Sequence, residues 1–201
     1  LTAFGWDHPV PAETLLEGII RRGARLTNRL RLQCKFQSAN ESFECQVLNE
    51  VVIDRGPQAN LIQIELWHEQ GRLALIHADG LILATPTGST AYSLSAGGAL
   101  CHPDVPAYLI TPICPHTLTL RPLLLPDWME VRVQLAPEAR SKAWISWDGR
   151  ARHELAPGDQ LTVGVSPYSV PTIAAQDQTM DWFYALSRCL HWNERSIIPK
   201  N

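Results

Sequence analysis

Apolar and polar side chains alternate in short runs along most of this chain. Residues 61–67, 129–135, 143–147 and 160–165 show it most clearly, the second half of 25–36 follows suit, and the apolar run 73–76 reads as the return strand of a hairpin. A two-residue period marks strands with one face buried. Residues 46–53 read as a further strand, preceded by a polar loop over 37–44. Residues 107–111 form an apolar run bounded by prolines, and a second apolar run enters from Asp79-Gly80 and stops at Pro86. Turn signals stand at Gln70-Gly71 and over 156–159. Helical spacing is rarer. Over 11–23, Leu15, Leu16, Ile19 and Ile20 make an i, i+3, i+4 stripe, with Pro11 and Glu13 suited to the first turn. Over 179–192, Trp182, Phe183, Leu186, Cys189 and Leu190 share one side. The expected class is mainly β, sandwich-like, with helices near the ends and one after Gly88.

Composition narrows the function classes. At 201 residues the chain can bury a substantial core. It holds 17 basic and 20 acidic residues, a net charge of −3 that leaves no basic footprint for nucleic acid. No apolar run approaches the roughly 20 residues of a membrane-spanning helix, so no membrane association is expected. The first residues have no signal-peptide shape, and the absence of an initiator Met reads as a cut from a longer polypeptide. The cysteines, Cys34, Cys45, Cys101, Cys114 and Cys189, are odd in number and form no CxxC pair. Neither a disulfide frame nor a zinc site is indicated, and all five are expected reduced and mostly buried. The histidines show no metal-ligand spacing.

The run 79–98 carries the most chemistry. After the apolar strand and Pro86 come Thr87, Gly88, Ser89 and Thr90, then small residues that can begin a helix. Small residues let backbone N–H groups approach a ligand, and a helix N-terminus favours phosphate. This run resembles the nucleotide-binding signature of the NAD kinase family. Further blocks agree in order and rough spacing: Asn49-Glu50 before Val51, residues 111–118 with Arg121-Pro122-Leu123, Ser146 to Arg150, and the tail from Asp181 to Asn193. The later blocks take the form typical of eukaryotic members. Ala78 stands where the family usually has glycine, a change that strains the backbone only if φ is positive there.

Several residues are candidate NAD contacts. Asn49 offers a donor and an acceptor, suited to adenine or an amide, and Glu50 suits a ribose diol. Neighbours on a regular strand face opposite sides, so both reach one ligand only if the strand ends or bulges there. Asp79 could accept from a carboxamide or ribose, or simply cap its turn. Thr87, Thr90, Ala91, Tyr92 and Ser95 rank above Ser89 as contacts. His116 reads equally as a phosphate donor or a loop residue. Asp148 resembles a family position near the reacting ribose and is the catalytic candidate of this chain, although it reads as well as a hairpin-turn residue. Arg55 and Arg121 read as partners of carboxylates before phosphate ligands.

The resemblance implies transfer of the γ-phosphate of ATP, aided by Mg2+, to the adenosine ribose 2′-hydroxyl of NAD. The family's Gly-Gly-Asp-Gly-Thr motif, which belongs to an N-terminal α/β domain, is absent from this sequence. Residues 1–178 are therefore expected to be the NAD-binding domain, and 179–201 a helix packing on the missing one. Alone, the chain is expected to be inactive. The family implies a homo-oligomer and a cytoplasmic location, with a mitochondrial address left open. A non-catalytic dinucleotide sensor and a lipid kinase are the rival readings.

Overall fold

The computed structural model describes residues 12–139, 141–174 and 178–192. Pro11 and Asn193 fall outside them, as does the side chain of Leu15. The first half holds α1 (Ala12–Arg22), β1 (Arg25–Arg29), β2 (Leu32–Gln37), β3 (Ser42–Val47), β4 (Glu50–Asp54), β5 (Ile62–His68), β6 (Gly71–Ala78) and β7 (Gly80–Ala84). A 3-10 turn (Thr87–Thr90) and α2 (Tyr92–Ser95) follow. Then come β8 (Ala107–Ile113), β9 (Leu123–Pro126), β10 (Val131–Leu135), β11 (Ala143–Trp147), β12 (Arg150–Leu155), β13 (Gln160–Val165), β14 (Val170–Ala174) and α3 (Gln178–Leu190).

The chain divides into two compact units. The larger, Arg29–Val170, is built on two six-stranded sheets, ordered β3-β2-β13-β10-β5-β6 and β12-β11-β4-β7-β8-β9. Their pairings are antiparallel, so alternating residues reach one core. Leu32, Cys34 and Phe36 from one sheet share that core with Val51, Ile53, Leu81, Leu83 and Ile145 from the other, the arrangement of a sandwich. The outer face of the second sheet is covered as well. There Val52, Ile82, Ala84 and Leu109 pack with Cys101. All five residues of β7 are consequently buried, which explains why its sequence is an unbroken apolar run. The smaller unit contains α1, α3 and the two-stranded pairing of β1 with β14. Thr27 there donates to the Thr172 carbonyl at 3.4 Å.

Several expectations are corrected. Residues 46–53 are not one strand: the chain leaves β3 at Val47 and enters β4, in the other sheet, at Glu50. The polar stretch 37–44 is loop only over 38–41, because β3 begins at Ser42 and sets Phe43, Cys45 and Val47 against the core. The helix after Gly88 is a single turn, so its macrodipole is small and any anion there meets individual N–H groups. In α1, Leu16 and Ile20 stand exposed, and in α3 the buried residues are Ala185 and Leu186 while Phe183 and Cys189 are exposed. The cysteines are all free, but Cys114 and Cys189 are exposed and Cys45 is half-buried. Ala78 lies buried within β6 and is not among the residues of positive φ, so its replacement of glycine stores no strain there.

Candidate functional site

The break between β3 and β4 is held by a residue far along the chain. Asp148 and Gly149 form the two-residue turn between β11 and β12, both with positive φ (47° and 66°), the geometry of a type I′ hairpin. From that turn the Asp148 carboxylate accepts the N–H groups of Leu48 and Asn49, each at 2.8 Å, and of Glu50 at 3.2 Å. The Asp148 N–H returns a bond to the Glu50 carbonyl at 3.0 Å. Three backbone donors on one carboxylate fix the path of Leu48, Asn49 and Glu50. The Asn49 side-chain amide is left with no partner among the described residues.

The hydroxyl loop closes on this break from the other side. The Thr85 N–H donates to the Asn49 carbonyl at 2.8 Å, and its hydroxyl to the Leu48 carbonyl at 2.6 Å. The same hydroxyl accepts the Gly88 N–H at 3.0 Å. A Cβ on Gly88 would lie 2.1 Å from the Asn49 carbonyl oxygen, so only glycine permits this approach. Buried Ser89 ties the loop to the chain beyond it, donating to Pro86 and exchanging bonds with Cys101. Ser93 and Thr111 hydroxyls, 2.9 Å apart, pin α2 onto β8. Thr87, Thr90 and Ala91 are half-buried, while Tyr92 and Ser95 are exposed. Within this segment Gly88 lies on the Asn49 backbone and the Tyr92 N–H reaches Glu50.

Glu50 is nearly buried, and its Oε2 has no hydrogen-bond partner. Burial pushes its carboxyl above the usual range and the nearby Asp148 charge adds to this; the Tyr92 backbone N–H pulls the other way. An orphaned acceptor of this kind fits a donor supplied from outside, such as a ribose hydroxyl.

Asp79 and His116 are not part of this cluster. Register pairs Glu50 with Ala84 and Asp54 with Gly80, which places Asp79 at the opposite end of β7 from the loop. Its carboxylate is ion-paired with Arg55 at 2.8 Å. His116 is exposed at that same end, its N–H bonded to the His77 carbonyl. Thus Asn49, Glu50, Thr87, Thr90, Ala91, Tyr92, Ser95 and Asp148 gather at one end of the sheet, and Asp79 and His116 at the other. Thr85 and Gly88 were missed as site-forming residues. Their signal was a hydroxyl three residues before a glycine at a strand end, the pattern of a side-chain-closed turn.

Comparison with known proteins gives this geometry its context. The model of the ATP-NAD kinase C-terminal domain matches residues 48–175. The chain belongs to the NAD kinase family. It is 46% identical over 176 residues to a probable chloroplastic NAD kinase 2 of Oryza sativa, covering 86% of this chain and 18% of that protein. It is 44% identical over 210 residues to an ATP-NADH kinase of Saccharomyces cerevisiae, covering 92% of this chain and 42% of the other. Among solved structures, yeast NADH kinase complexed with NADH superposes with a TM-score of 0.86 at 31% identity, over 94% of this chain and 56% of that one. The chain thus spans less than half of the NAD kinase relatives it matches in sequence.

Proposed function

We propose that this chain is the NAD-binding part of an enzyme that transfers the γ-phosphate of ATP to the adenosine ribose 2′-hydroxyl of NAD, giving NADP. The observation that carries this reading is the meeting of Asn49 and Glu50 with the 87–95 loop, in a chain of the NAD kinase family. The NADH in the yeast NADH kinase structure supports a dinucleotide as the ligand. In this reading the free amide of Asn49 meets adenine or carboxamide, and Glu50 receives a ribose hydroxyl. Thr87, Thr90, Ala91, Tyr92 and Ser95 line the rest of the site. Asp148 acts as a positioning residue through the three N–H groups it holds.

Asp79 and His116 lie a strand length away, about 16 Å for five residues. We keep both as candidate contacts for the far end of the same extended dinucleotide, and separately propose a homo-oligomer as the working form. Phosphoryl transfer depends on positioning and charge neutralisation more than on covalent chemistry. Among the described residues no three His, Cys, Asp or Glu side chains converge as a metal site. We place ATP, Mg2+ and the general base with the family's Gly-Gly-Asp-Gly-Thr motif, which is absent from this sequence. No helix among the described residues is long and apolar enough to cross a membrane.

The test is titration calorimetry of this chain with NAD and NADP, beside an assay for NADP formation from ATP and NAD. Binding without turnover supports the division of labour. Turnover by the chain alone overturns it. A folded chain that binds neither dinucleotide overturns the assignment of a sufficient site to these residues. A sensor would bind and stay silent even within the full-length polypeptide, so the same assay there separates the two readings.

A further inference from the structure

We propose that Cys34 and Cys45 form a paired-thiol modification site that closes to a cross-strand disulfide beside the Asp148 turn. The two residues are direct partners in the antiparallel register of β2 and β3. Directly opposed residues in such a ladder have Cα atoms about 4.5–5.5 Å apart, inside the roughly 4.4–6.8 Å window a disulfide needs. Both side chains face the core, held between two further opposed pairs, Leu32 with Val47 and Phe36 with Phe43. The phenyl rings of the latter stack at 5.1 Å. Closure therefore calls for no change of strand register and no turning of a side chain to the other face.

Access is one-sided. Strand β3 is the edge of its sheet, and Cys45 on it is half-buried, whereas Cys34 is 1% exposed. The thiols interact with each other in opposite senses, favouring the thiolate at Cys45 and the thiol at Cys34. Cys45 is thus the sulfur that meets an oxidant first. Its thiolate attacks the disulfide of oxidised glutathione, forming a mixed disulfide and releasing one glutathione thiolate. Cys34 then attacks Sγ of Cys45, and the departing glutathione sulfur takes up the Cys34 proton and leaves as the thiol. Two protein thiols are oxidised and one small-molecule disulfide is reduced to two thiols. Cys45 stands three residues before Leu48, whose N–H the Asp148 carboxylate holds, and the Asp148 charge disfavours the thiolate at both sulfurs. The inference does not depend on what ligand the site takes.

The experiment uses a chain carrying Cys114→Ser and Cys189→Ser, equilibrated with mixtures of reduced and oxidised glutathione. Digestion without reductant and mass spectrometry then map the linkages. The expected result is one peptide joining Cys34 to Cys45, in protein with an unchanged circular dichroism spectrum, reversed by dithiothreitol. A linkage to Cys101, or reaction only in denaturant, would overturn the proposal. Adding Cys34→Ser blocks closure, and the expected product is then a persistent glutathione adduct on Cys45. A Cys45 that stays unmodified there would refute its role as the entry point.

Discussion

Gly88 lies against the backbone of Asn49 so closely that a Cβ would stand 2.1 Å from the carbonyl oxygen and 2.8 Å from Cα. Backbone cannot move aside as a flexible side chain can. Gly88→Ala is therefore expected to push the loop away from the β3–β4 break and to lower stability by about 1–3 kcal/mol, the usual cost of overpacking. Urea unfolding measures the first effect. Titration with NAD measures the second, which is expected to show weakened binding; unchanged values in both would mean the loop relaxes freely.

Asp148→Asn keeps a residue type that tolerates positive φ, so the hairpin turn is preserved. It removes the charge that strengthens three backbone hydrogen bonds. Bonds to charged groups contribute about 1.5–3 kcal/mol each, and the amide oxygen still accepts some of them. The expected loss is of the order of one such bond, about 2 kcal/mol. In hydrogen exchange, faster exchange at the Leu48 and Asn49 amides is the specific signature, which a loss of turn stability alone would not confine to those positions.

Glu50 gives a pH dependence of defined sign. Its carboxyl sits above the ordinary value of 4.5 in the folded state. The native state then holds its proton more tightly than the unfolded chain, so this contribution to stability is fully present below 4.5 and lost as pH rises through the folded value. Glu50→Gln cannot ionise. It is expected to match the parent at low pH and exceed it increasingly as pH rises towards neutrality. Denaturation midpoints of both proteins between about pH 4 and 8 provide the check; a constant difference across that range would refute the assignment.

Asn49→Ala separates binding from folding. The side-chain amide has no partner within the described protein, so its removal is expected to change stability by no more than about 0.5 kcal/mol. Loss of one or two ligand hydrogen bonds predicts weaker NAD binding by about tenfold or more. Calorimetric titration reads the affinity and thermal unfolding the stability. A variant that destabilises without losing affinity would move Asn49 out of the site.

Much of this was legible in sequence because local pattern and global fold agree. The alternations at 143–147 and 160–165 became β11 and β13, and the unbroken apolar run became β7, buried on both faces. The break at Leu48-Asn49 was not legible as such. No glycine or proline marks it, and it is held by Asp148, a hundred residues away in the chain. Strand β12 was passed over because its outward residues, Arg150 and Arg152, are polar at an exposed sheet edge. Asp79 and Thr87 are close in sequence, but an extended strand lies between them, and extended chain carries neighbours apart. In sequence Asp148 suited a turn and a site equally, and the structure places it in a turn that shapes the site.

The position of β7 sets how the ligand loop comes apart. With both faces covered and both edges paired, this strand offers water no route to its amides short of wholesale unfolding. The 85–95 segment hangs directly from its end, through Thr85 and Pro86. Its entry side therefore belongs to the slowest-opening part of the molecule, while its far side passes into the exposed turn at Gly97. Loosening of the loop is expected to begin with the exposed Tyr92 and Ser95 side chains, outside the buried Ser93–Thr111 pair, so that Gly88 keeps its place against Asn49 after they have let go.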